Sequence, residues 1–166
     1  PIVDIRICDE QGRALAQGET GEIWVRSCAN CREYWHRPEV NAEEFRDGWF
    51  KTGDVGVRQS NGRIKIVDRI KDMILVSGFN VFPNEIEEVA AMHDMVLEAA
   101  AVGVPHEVSG EVVKLFVVKK EEGLTEAMVI EHCRSHLTGY KVPKHIVFKD
   151  DLPKSNVGKI LRRALK

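Results

Sequence analysis

Lys159, near the end of the chain, stands where it could stabilise an anion. It follows a short polar loop whose Ser155, Asn156 and Gly158 favour turn conformations, so backbone N–H groups of the loop can point outward. A basic helix is predicted to begin at the Gly158-Lys159 pair and to add its positive N-terminal end. With the mobile ammonium, these donors suit an anion that gains negative charge as bonds change, such as a phosphate under attack. The alternative is a solvated basic tail, because runs of charge usually only solvate a surface.

Asp54 is the second candidate, because its carboxylate follows the turn residues Thr52 and Gly53. A carboxylate accepts two hydrogen bonds and therefore suits the two neighbouring hydroxyl groups of a ribose. The alternative is an aspartate that only stabilises its own turn. Arg69 directly follows the next predicted hairpin. Taken alone, Arg69 is a surface ion-pair partner, usually worth less than about 1 kcal/mol.

Gly78 is the third candidate and lies after a predicted strand and before a predicted helix. Glycine at such a place permits a positive φ or a close approach of the backbone to a ligand. A plain turn would use glycine just as readily. The residues alone therefore leave both interpretations open.

Two other patterns have the spacing of metal or redox sites. Cys28 and Cys31 form a C-x-x-C pair, but the other two cysteines lie far off in the sequence, so four free thiols are the simpler interpretation. His132 and His136 stand four residues apart on a predicted helix, yet Cys133 occupies the position where a zinc protease helix carries Glu. We expect partly exposed helix histidines there, and we predict no metal ligand.

The composition is that of an ordinary globular protein. The 166 residues carry a formal net charge of −2 with a pI of about 6.4, so nothing indicates a general nucleic-acid binder. No apolar run approaches the roughly 18 residues that span a bilayer, and the start shows no secretory signal. Neither the G-x-x-x-x-G-K-S/T nor the G-x-G-x-x-G pattern occurs, so the chain has no phosphate-cradling loop of that kind.

The elements that would position these residues fall into two groups. Residues 1 to about 68 are β-rich by pattern, with alternation over 2–7 and 21–26, a hairpin at Asn61-Gly62 and one or two helical turns over 38–45. From about residue 70 a compact α+β unit is predicted, with helices on one face of a small sheet. Its strands are expected at 73–76, 98–104, 112–119 and 145–148, and its helices at 83–92 and from the capping Thr125 to Gly139.

Three segments, in this order and at these separations, resemble the C-terminal part of the adenylate-forming superfamily of acyl-CoA synthetases, firefly luciferase and peptide-synthetase adenylation domains. They are residues 48–54, 69–87 and 152–163. Residues 67–87 and 137–144 resemble bacterial long-chain fatty-acid–CoA ligases in particular. The resemblance covers essentially the whole chain and implies an α+β fold. It places a β-rich piece of the large AMP-binding domain at residues 1–69 and a mobile C-terminal α+β domain at residues 70–166.

The resemblance also implies a role for five residues. Lys159 would contact the substrate carboxylate and the α-phosphate during adenylation and then leave the site. Asp54 and Arg69 would bind the ribose of ATP or AMP. Lys71 would be the hinge about which the C-terminal domain rotates between two half-reactions. Gly78 would lie on the loop that lines the pantetheine channel of CoA during thioester formation.

The activity implied is that of an ATP-dependent long-chain fatty-acid–CoA ligase, which forms acyl-AMP and pyrophosphate with Mg²⁺ and then the acyl-CoA. Fatty acid, ATP and CoA are the expected partners, without nucleic acid. The expected location is the cytoplasm, with or without peripheral contact with the inner membrane. The chain begins at Pro1 and lacks the phosphate loop, adenine pocket and acyl tunnel of the family's N-terminal domain, which would also bind most of the Mg²⁺. We therefore expect a fragment that is inactive alone.

Three points stay open at the level of sequence. One alternative is another ligase branch, acting on aryl, short-chain or amino acids, and a second is a non-catalytic nucleotide-binding or interaction module. Lys141 and Lys154 are weaker candidates for contacts with the phosphates of CoA. Over residues 27–35 the chain departs from the family pattern, and Glu33 replaces a glycine, which removes easy access to a positive φ.

Overall fold

The computed structural model describes residues 3–166, and the chain divides into two compact units between Lys71 and Asp72. This boundary lies two residues beyond the one expected from the sequence. Both units combine strands with shorter helical segments. The α+β class predicted from the sequence is therefore confirmed.

The first unit is an antiparallel sheet with one short helix. Its strands are β1 (Val3–Cys8), β2 (Thr20–Ser27), β3 (Phe45–Arg46), β4 (Trp49–Arg58) and β5 (Ile64–Arg69), and its helix is α1 (Pro38–Glu44). The strands lie in the order β1-β2-β4-β3, and β5 also pairs with β4. Cys8, Trp24 and Trp49 form a small buried cluster in this unit.

The β4–β5 hairpin follows the sequence signal at Asn61-Gly62. Gly62 has a φ of +80°, a left-handed conformation that glycine adopts without steric cost. The side chain of Asn61 accepts a hydrogen bond from Arg63 N over 3.0 Å, and Gly62 N donates to Gln59 O over 2.9 Å. The hairpin predicted at this pair is confirmed, and it sets the register between β4 and β5.

The second unit is a mixed sheet with two helices. Its strands are β6 (Ile74–Val76), β7 (Phe79–Val81), β8 (Val96–His106), β9 (Gly110–Lys119) and β10 (His145–Lys149), and its helices are α2 (Pro83–Ala91) and α3 (Glu126–His136). The order is β10-β9-β6-β7, with β8 also beside β9, and only β10 runs parallel to its neighbour among these pairs. Short 3₁₀ turns cover Ile70–Asp72, Gly139–Lys141 and Arg162–Ala164.

Both faces of the second sheet are covered. On one face Leu115 and Val117 of β9 share a core with residues of α2 and α3. On the other face Phe116 packs in a separate cluster with Leu152 and Leu165 from the C-terminal segment. This split follows from the two-residue repeat of a strand, which sends alternate side chains to opposite faces. The helices lie on one face as expected, and the end of the chain covers the other.

Helix α3 begins where the sequence predicts and ends earlier. Thr125 caps it, because the Thr125 side chain accepts a hydrogen bond from Met128 N over 3.3 Å. The helix ends at His136, and Leu137 is extended with its side chain in the core. The expected end at Gly139 is wrong, since Gly139 instead begins the next 3₁₀ turn. Within residues 3–166, no helix is both long and apolar enough to cross a membrane.

Cys133 of α3 is fully buried, and burial raises the pKa of its thiol from an ordinary value near 9.0 to about 11. The neutral thiol therefore stabilises the fold below about pH 9, and this stabilisation is lost as the pH rises towards 11. A shift of that size corresponds to roughly 2 to 3 kcal/mol. We expect the free energy of unfolding of the wild-type chain to fall more steeply between these pH values than that of Cys133→Ala.

Urea unfolding at several pH values between about 8 and 11 measures this difference in slope. Because both proteins carry the same lysines and tyrosines, the difference isolates the Cys133 thiol. Cys28→Ala is the matched control, since Cys28 is exposed and its removal should leave the wild-type slope. Parallel curves for wild type and Cys133→Ala would contradict the prediction.

Candidate functional site

Lys159 lies on a hairpin turn. Ser155 N donates to Lys159 O over 2.8 Å, and Gly158 N donates to Ser155 O over 2.9 Å. Lys154 and Ile160 are paired as an antiparallel bridge on either side of the turn. Gly158 has a φ of +78°, which explains glycine at this position. The turn places Lys159 at its exposed tip.

The basic helix predicted to begin at Gly158-Lys159 is absent, so that prediction is wrong. Ile160 and Leu165 both pack against the sheet in the second core cluster, and the only helical segment after Lys159 is the 3₁₀ turn Arg162–Ala164. No helix dipole therefore adds to the charge at this tip. Lys159 N is also engaged, because it donates to Ser155 Oγ over 3.2 Å. What the hairpin offers an anion is the ammonium of Lys159, whose side chain makes no ion pair within residues 3–166.

Arg162, three residues after Lys159, holds this hairpin segment to helix α2. Its Nε lies 2.8 Å from Glu87 Oε1 and its Nη2 lies 2.6 Å from Glu87 Oε2. Its Nη1 lies 3.2 Å from Asp72 Oδ2, and Nη2 also donates to Asn84 Oδ1. Sequence reasoning missed this network and placed Arg162 in a basic helix, with a solvated basic tail as the alternative. No local sequence pattern indicates these contacts, because the partners of Arg162 lie 75 to 90 residues away in the chain.

Asp54 and Arg69 face each other across the β4–β5 ladder. They are direct partners in the antiparallel register, and Arg69 Nε lies 3.2 Å from Asp54 Oδ1. The arginine side chain is 72% exposed and the aspartate side chain 29%, so the ion pair by itself adds little stability. The structure thus brings together the two residues that the resemblance assigns to one ribose.

The turn before Asp54 is held by other side chains. Thr52 Oγ1 accepts a hydrogen bond from Asp54 N over 3.1 Å and donates to Ile23 O over 2.8 Å. Glu22 Oε1 accepts from Gly53 N over 3.2 Å. These contacts account for the turn without the carboxylate of Asp54. They therefore weaken the alternative in which Asp54 only stabilises its own turn.

Lys71 is the last residue of the first unit and lies in the 3₁₀ turn Ile70–Asp72. A short turn between two compact units has few contacts to break, as a hinge requires, and the hinge role stays a prediction. Lys71 also lines a cleft of about 460 Å³ in the first unit. Four glutamates and two further basic residues line that cleft as well: Glu10, Glu22, Glu43, Glu44, Arg46 and Lys51. With four carboxylates against three basic groups, the charges of the lining nearly balance and assign no ligand to this cleft.

Gly78 occupies the second position of a two-residue turn between β6 and β7. Ser77 and Gly78 have φ values of +51° and +83°, and Val76 pairs with Phe79 across the turn, as in the tight hairpins that need two left-handed residues. A Cβ added to Gly78 would meet nothing within 4 Å. Glycine is therefore needed for its backbone conformation. The contact with pantetheine stays a prediction.

Aromatic and charged contacts surround the Gly78 turn and the two weaker lysine candidates. Phe79 stacks on Tyr140, with ring centroids 4.7 Å apart. Lys141 Nζ lies 2.7 Å from both carboxylate oxygens of Glu85. Lys154 bonds Glu98 and Asp151, and these hydrogen bonds, first that to Glu98, raise the pKa of Lys154 above its ordinary value. Both lysines thus already have carboxylate partners.

Cys28, Cys31, His132 and His136 are the residues whose spacing resembles that of a metal or redox site. Within residues 3–166, no group of three or more His, Cys, Asp or Glu side chains could hold a metal ion. Cys28 and Cys31 are exposed free thiols. His132 is half-buried with Nε2 2.9 Å from Val89 O, and His136 is exposed. The two histidines are therefore the partly exposed helix residues that we expected.

The loop that departs from the family pattern accommodates Glu33 without strain at that residue. Among the non-glycine residues of the described chain, a positive φ occurs at His36, Asp47 and Ser77. Tyr34 and Asn41 then close the loop, because Asn41 Oδ1 accepts from Tyr34 N over 2.7 Å and Asn41 Nδ2 donates to Tyr34 O over 3.0 Å. Glycine is not needed at position 33 in this conformation.

Comparison with known proteins identifies a domain family and similar proteins. Residues 85–159 match the AMP-binding enzyme C-terminal domain. The long-chain-fatty-acid–CoA ligase of Yersinia pestis is 55% identical over 166 residues, and that of Haemophilus influenzae is 54% identical over the same length. Each match covers 100% of this chain and 30% of the relative. The crystal structure of ATP-bound MatB from Rhodopseudomonas palustris superposes with a TM-score of 0.93 at 39% identity, covering 99% of this chain and 33% of that one.

The chain thus spans about 30% of the length of the curated relatives that it matches. Its family model begins on helix α2 and ends at Lys159, so the match includes the Lys159 hairpin and the segment that carries Glu87. The family recognised from the sequence motifs is confirmed. Residues 85–159 thus match the C-terminal domain of AMP-binding enzymes, and over its whole length the chain is similar to the bacterial long-chain-fatty-acid–CoA ligases.

Proposed function

We propose that this chain is the C-terminal part of an ATP-dependent long-chain fatty-acid–CoA ligase. The observation that carries the proposal is 55% identity over the whole chain to a long-chain-fatty-acid–CoA ligase. The exposed ammonium of Lys159 and the Asp54–Arg69 pair add the groups that the first half-reaction needs. The phosphate loop and the acyl site would lie in residues outside this chain.

In the first half-reaction the fatty-acid carboxylate attacks the α-phosphate of ATP, which gives acyl-AMP and pyrophosphate. Negative charge grows on the phosphate oxygens in the transition state, and Lys159 supplies a positioned cation to stabilise it. Asp54 accepts hydrogen bonds from the ribose hydroxyls, and Arg69 lies beside it. The ribose contact fixes the nucleotide while the reacting atoms change.

In the second half-reaction the thiol of CoA attacks the carbonyl carbon of acyl-AMP, and AMP leaves with the bonding electrons. We propose that rotation about Lys71 removes Lys159 and brings the Gly78 turn to the pantetheine of CoA. The Ser77-Gly78 turn suits this role because it is a tight hairpin with a fixed backbone. The same acyl-adenylate is formed in one reaction and consumed in another. A C-terminal domain with two positions can supply different side chains to each of these reactions.

ATP and CoA follow from the family, and MatB is a relative solved with ATP bound. Mg²⁺ belongs to the proposal as the usual partner of ATP phosphates. The described residues offer no set of ligands for a resident ion, so no step is assigned to Mg²⁺ on this chain. A cytoplasmic location, with or without peripheral contact with the inner membrane, completes the proposal.

Two assays on the full-length protein that carries this chain test the proposal. The first is ATP–pyrophosphate exchange that depends on added fatty acid, and the second is formation of acyl-CoA from fatty acid, ATP and CoA. We expect both activities with a long-chain fatty acid such as palmitate. We expect neither from the 166-residue chain alone. Acyl-CoA formation by the isolated chain would contradict the proposal that the phosphate loop and the acyl site lie outside this chain.

The alternatives give different results in the same assays. A ligase of another branch would exchange pyrophosphate with an aryl, short-chain or amino acid and not with palmitate. A non-catalytic module would show no exchange with any acid. Reading the coding sequence upstream of residue 1 separates the second alternative cheaply, because an enzyme needs a Gly/Ser/Thr-rich phosphate loop followed by Lys there.

A further inference from the structure

The Arg162 network is a tight and largely buried ionic contact. The side chain of Arg162 is 15% exposed, that of Glu87 18% and that of Asp72 32%. The Glu87 carboxylate also has a backbone partner, because its Oε1 accepts a hydrogen bond from Ala101 N of β8 over 2.9 Å. The guanidinium thus contacts a carboxylate that is positioned by helix α2, which carries Glu87, and by strand β8 of the second sheet.

The geometry depends on the shape of a guanidinium. Arg162 engages both oxygens of Glu87 with Nε and Nη2, and it reaches Asp72 with Nη1. A planar fork can serve two carboxylates in different directions at once, whereas an ammonium acts as a point charge. Leaving one of these partly buried groups unpaired would be costly. The contact therefore specifies where the main chain at residue 162 lies.

The residues of the Arg162 network lie next to two of the candidate functional residues in the sequence. Arg162 follows Lys159 by three residues, and Leu161 N donates to Pro153 O over 2.7 Å, which ties the base of the hairpin together. Asp72 directly follows Lys71 in the sequence. Within the second unit, one side chain thus joins the segment that carries Lys159 to the first residue after the expected hinge.

We propose that Arg162 is a positioning residue for adenylation, which acts through Lys159 by holding its hairpin against Glu87 and Asp72. The inference rests on the function proposed above and deepens it. Lys159 can stabilise the transition state only when its main chain is fixed, since a displacement of about 1 Å can cost about 10²-fold in rate. Loss of the network lets the hairpin shift while the rest of the unit keeps its two cores.

The test is a set of variants of the full-length protein assayed in the two half-reactions. We expect Arg162→Gln to lower the kcat of fatty-acid-dependent pyrophosphate exchange by about 10- to 100-fold with little change in the KM for ATP. The rate at which preformed acyl-AMP and CoA give thioester should change by less than about three-fold. Arg163→Gln is the matched control, because Arg163 is the next residue and is exposed. It should retain the wild-type rates.

A double-mutant cycle with Lys159→Ala separates positioning from general stability. If Arg162 acts through Lys159, then Arg162→Gln should add little to the loss already caused by Lys159→Ala. Additive losses in exchange, or equal losses in both half-reactions, would overturn the inference. Arg162→Lys keeps the positive charge and loses the planar guanidinium. It takes the place of Arg162→Gln in the double-mutant cycle if Arg162→Gln folds poorly. We expect it to recover only part of the exchange rate.

Failure of this inference is distinguishable from failure of the proposed function. If the wild-type protein shows no fatty-acid-dependent exchange, the proposed function is wrong. If wild type is active and Lys159→Ala is slow, while Arg162→Gln exchanges at the wild-type rate, only the positioning role is wrong. Asp72→Asn supplies an independent check, since it removes one ion pair of Arg162 and should give a smaller loss in the same half-reaction.

Discussion

Replacing Lys159 with alanine is expected to lower the rate of acyl-adenylate formation by about 10²- to 10³-fold. The reason is electrostatic, because charge develops on the phosphate oxygens in the transition state and the ammonium is the cation that the hairpin tip presents. Lys159 lies on a hairpin turn and not at the start of a helix. Since no helix dipole lies behind Lys159, the neighbouring backbone cannot compensate for the lost charge.

The measurement is fatty-acid-dependent ATP–pyrophosphate exchange by the full-length protein, beside thioester formation from preformed acyl-AMP. Thioester formation should change by less than about three-fold, because in the proposed mechanism Lys159 leaves the site before that half-reaction. Lys166→Ala is the matched control, as another exposed lysine of the same segment. If both half-reactions survive Lys159→Ala unchanged, Lys159 is a solvated surface charge and its assignment is wrong.

Replacing Asp54 with alanine is expected to lower kcat/KM for ATP by about 10- to 100-fold in the same exchange assay. A carboxylate that accepts hydrogen bonds from the ribose hydroxyls contributes roughly 1.5 to 3 kcal/mol. The loss should appear mainly as a higher KM, because the ribose does not change during the reaction and its contact is the same in ground state and transition state. This pattern is the opposite of that expected for Lys159→Ala.

Two variants make the Asp54 experiment specific. Asp4→Ala removes a carboxylate that also pairs with an arginine in the first sheet, since Arg26 Nη2 lies 2.9 Å from Asp4 Oδ2. It should leave the KM for ATP unchanged. Arg69→Ala should raise that KM by a smaller factor than Asp54→Ala, because the Arg69 side chain is largely exposed. An unchanged KM in Asp54→Ala would show that its carboxylate does not bind the nucleotide.

Local sequence signals predicted most of the elements because each has a cause within a few residues. The Asn61-Gly62 hairpin, the Thr125 cap and the alternation of β9 all depend on neighbours in the chain. The family motifs were equally readable, since they are contiguous segments. The conformation of the β6–β7 turn explains why glycine stands at position 78. Whether Gly78 contacts pantetheine does not follow from the local sequence.

The largest error concerned the segment after Lys159, and its cause is tertiary. Basic residues after a glycine favoured a helix by local pattern, but Ile160 and Leu165 pack on the sheet and Arg162 bonds Glu87 and Asp72. These contacts join residues far apart in the chain, and no local periodicity reports them. Packing against an existing sheet outweighs a weak helix propensity over so few residues.

The sequence by itself determined the family, the α+β class and the identity of the candidate residues, because these depend on residue types in contiguous motifs. Only the tertiary structure decided that Asp54 and Arg69 share one ladder position, that Lys159 stands on a hairpin, and that Arg162 ties this hairpin to Asp72. Register and long-range ion pairs are properties of the folded chain, since they arise when segments that are distant in sequence pack together.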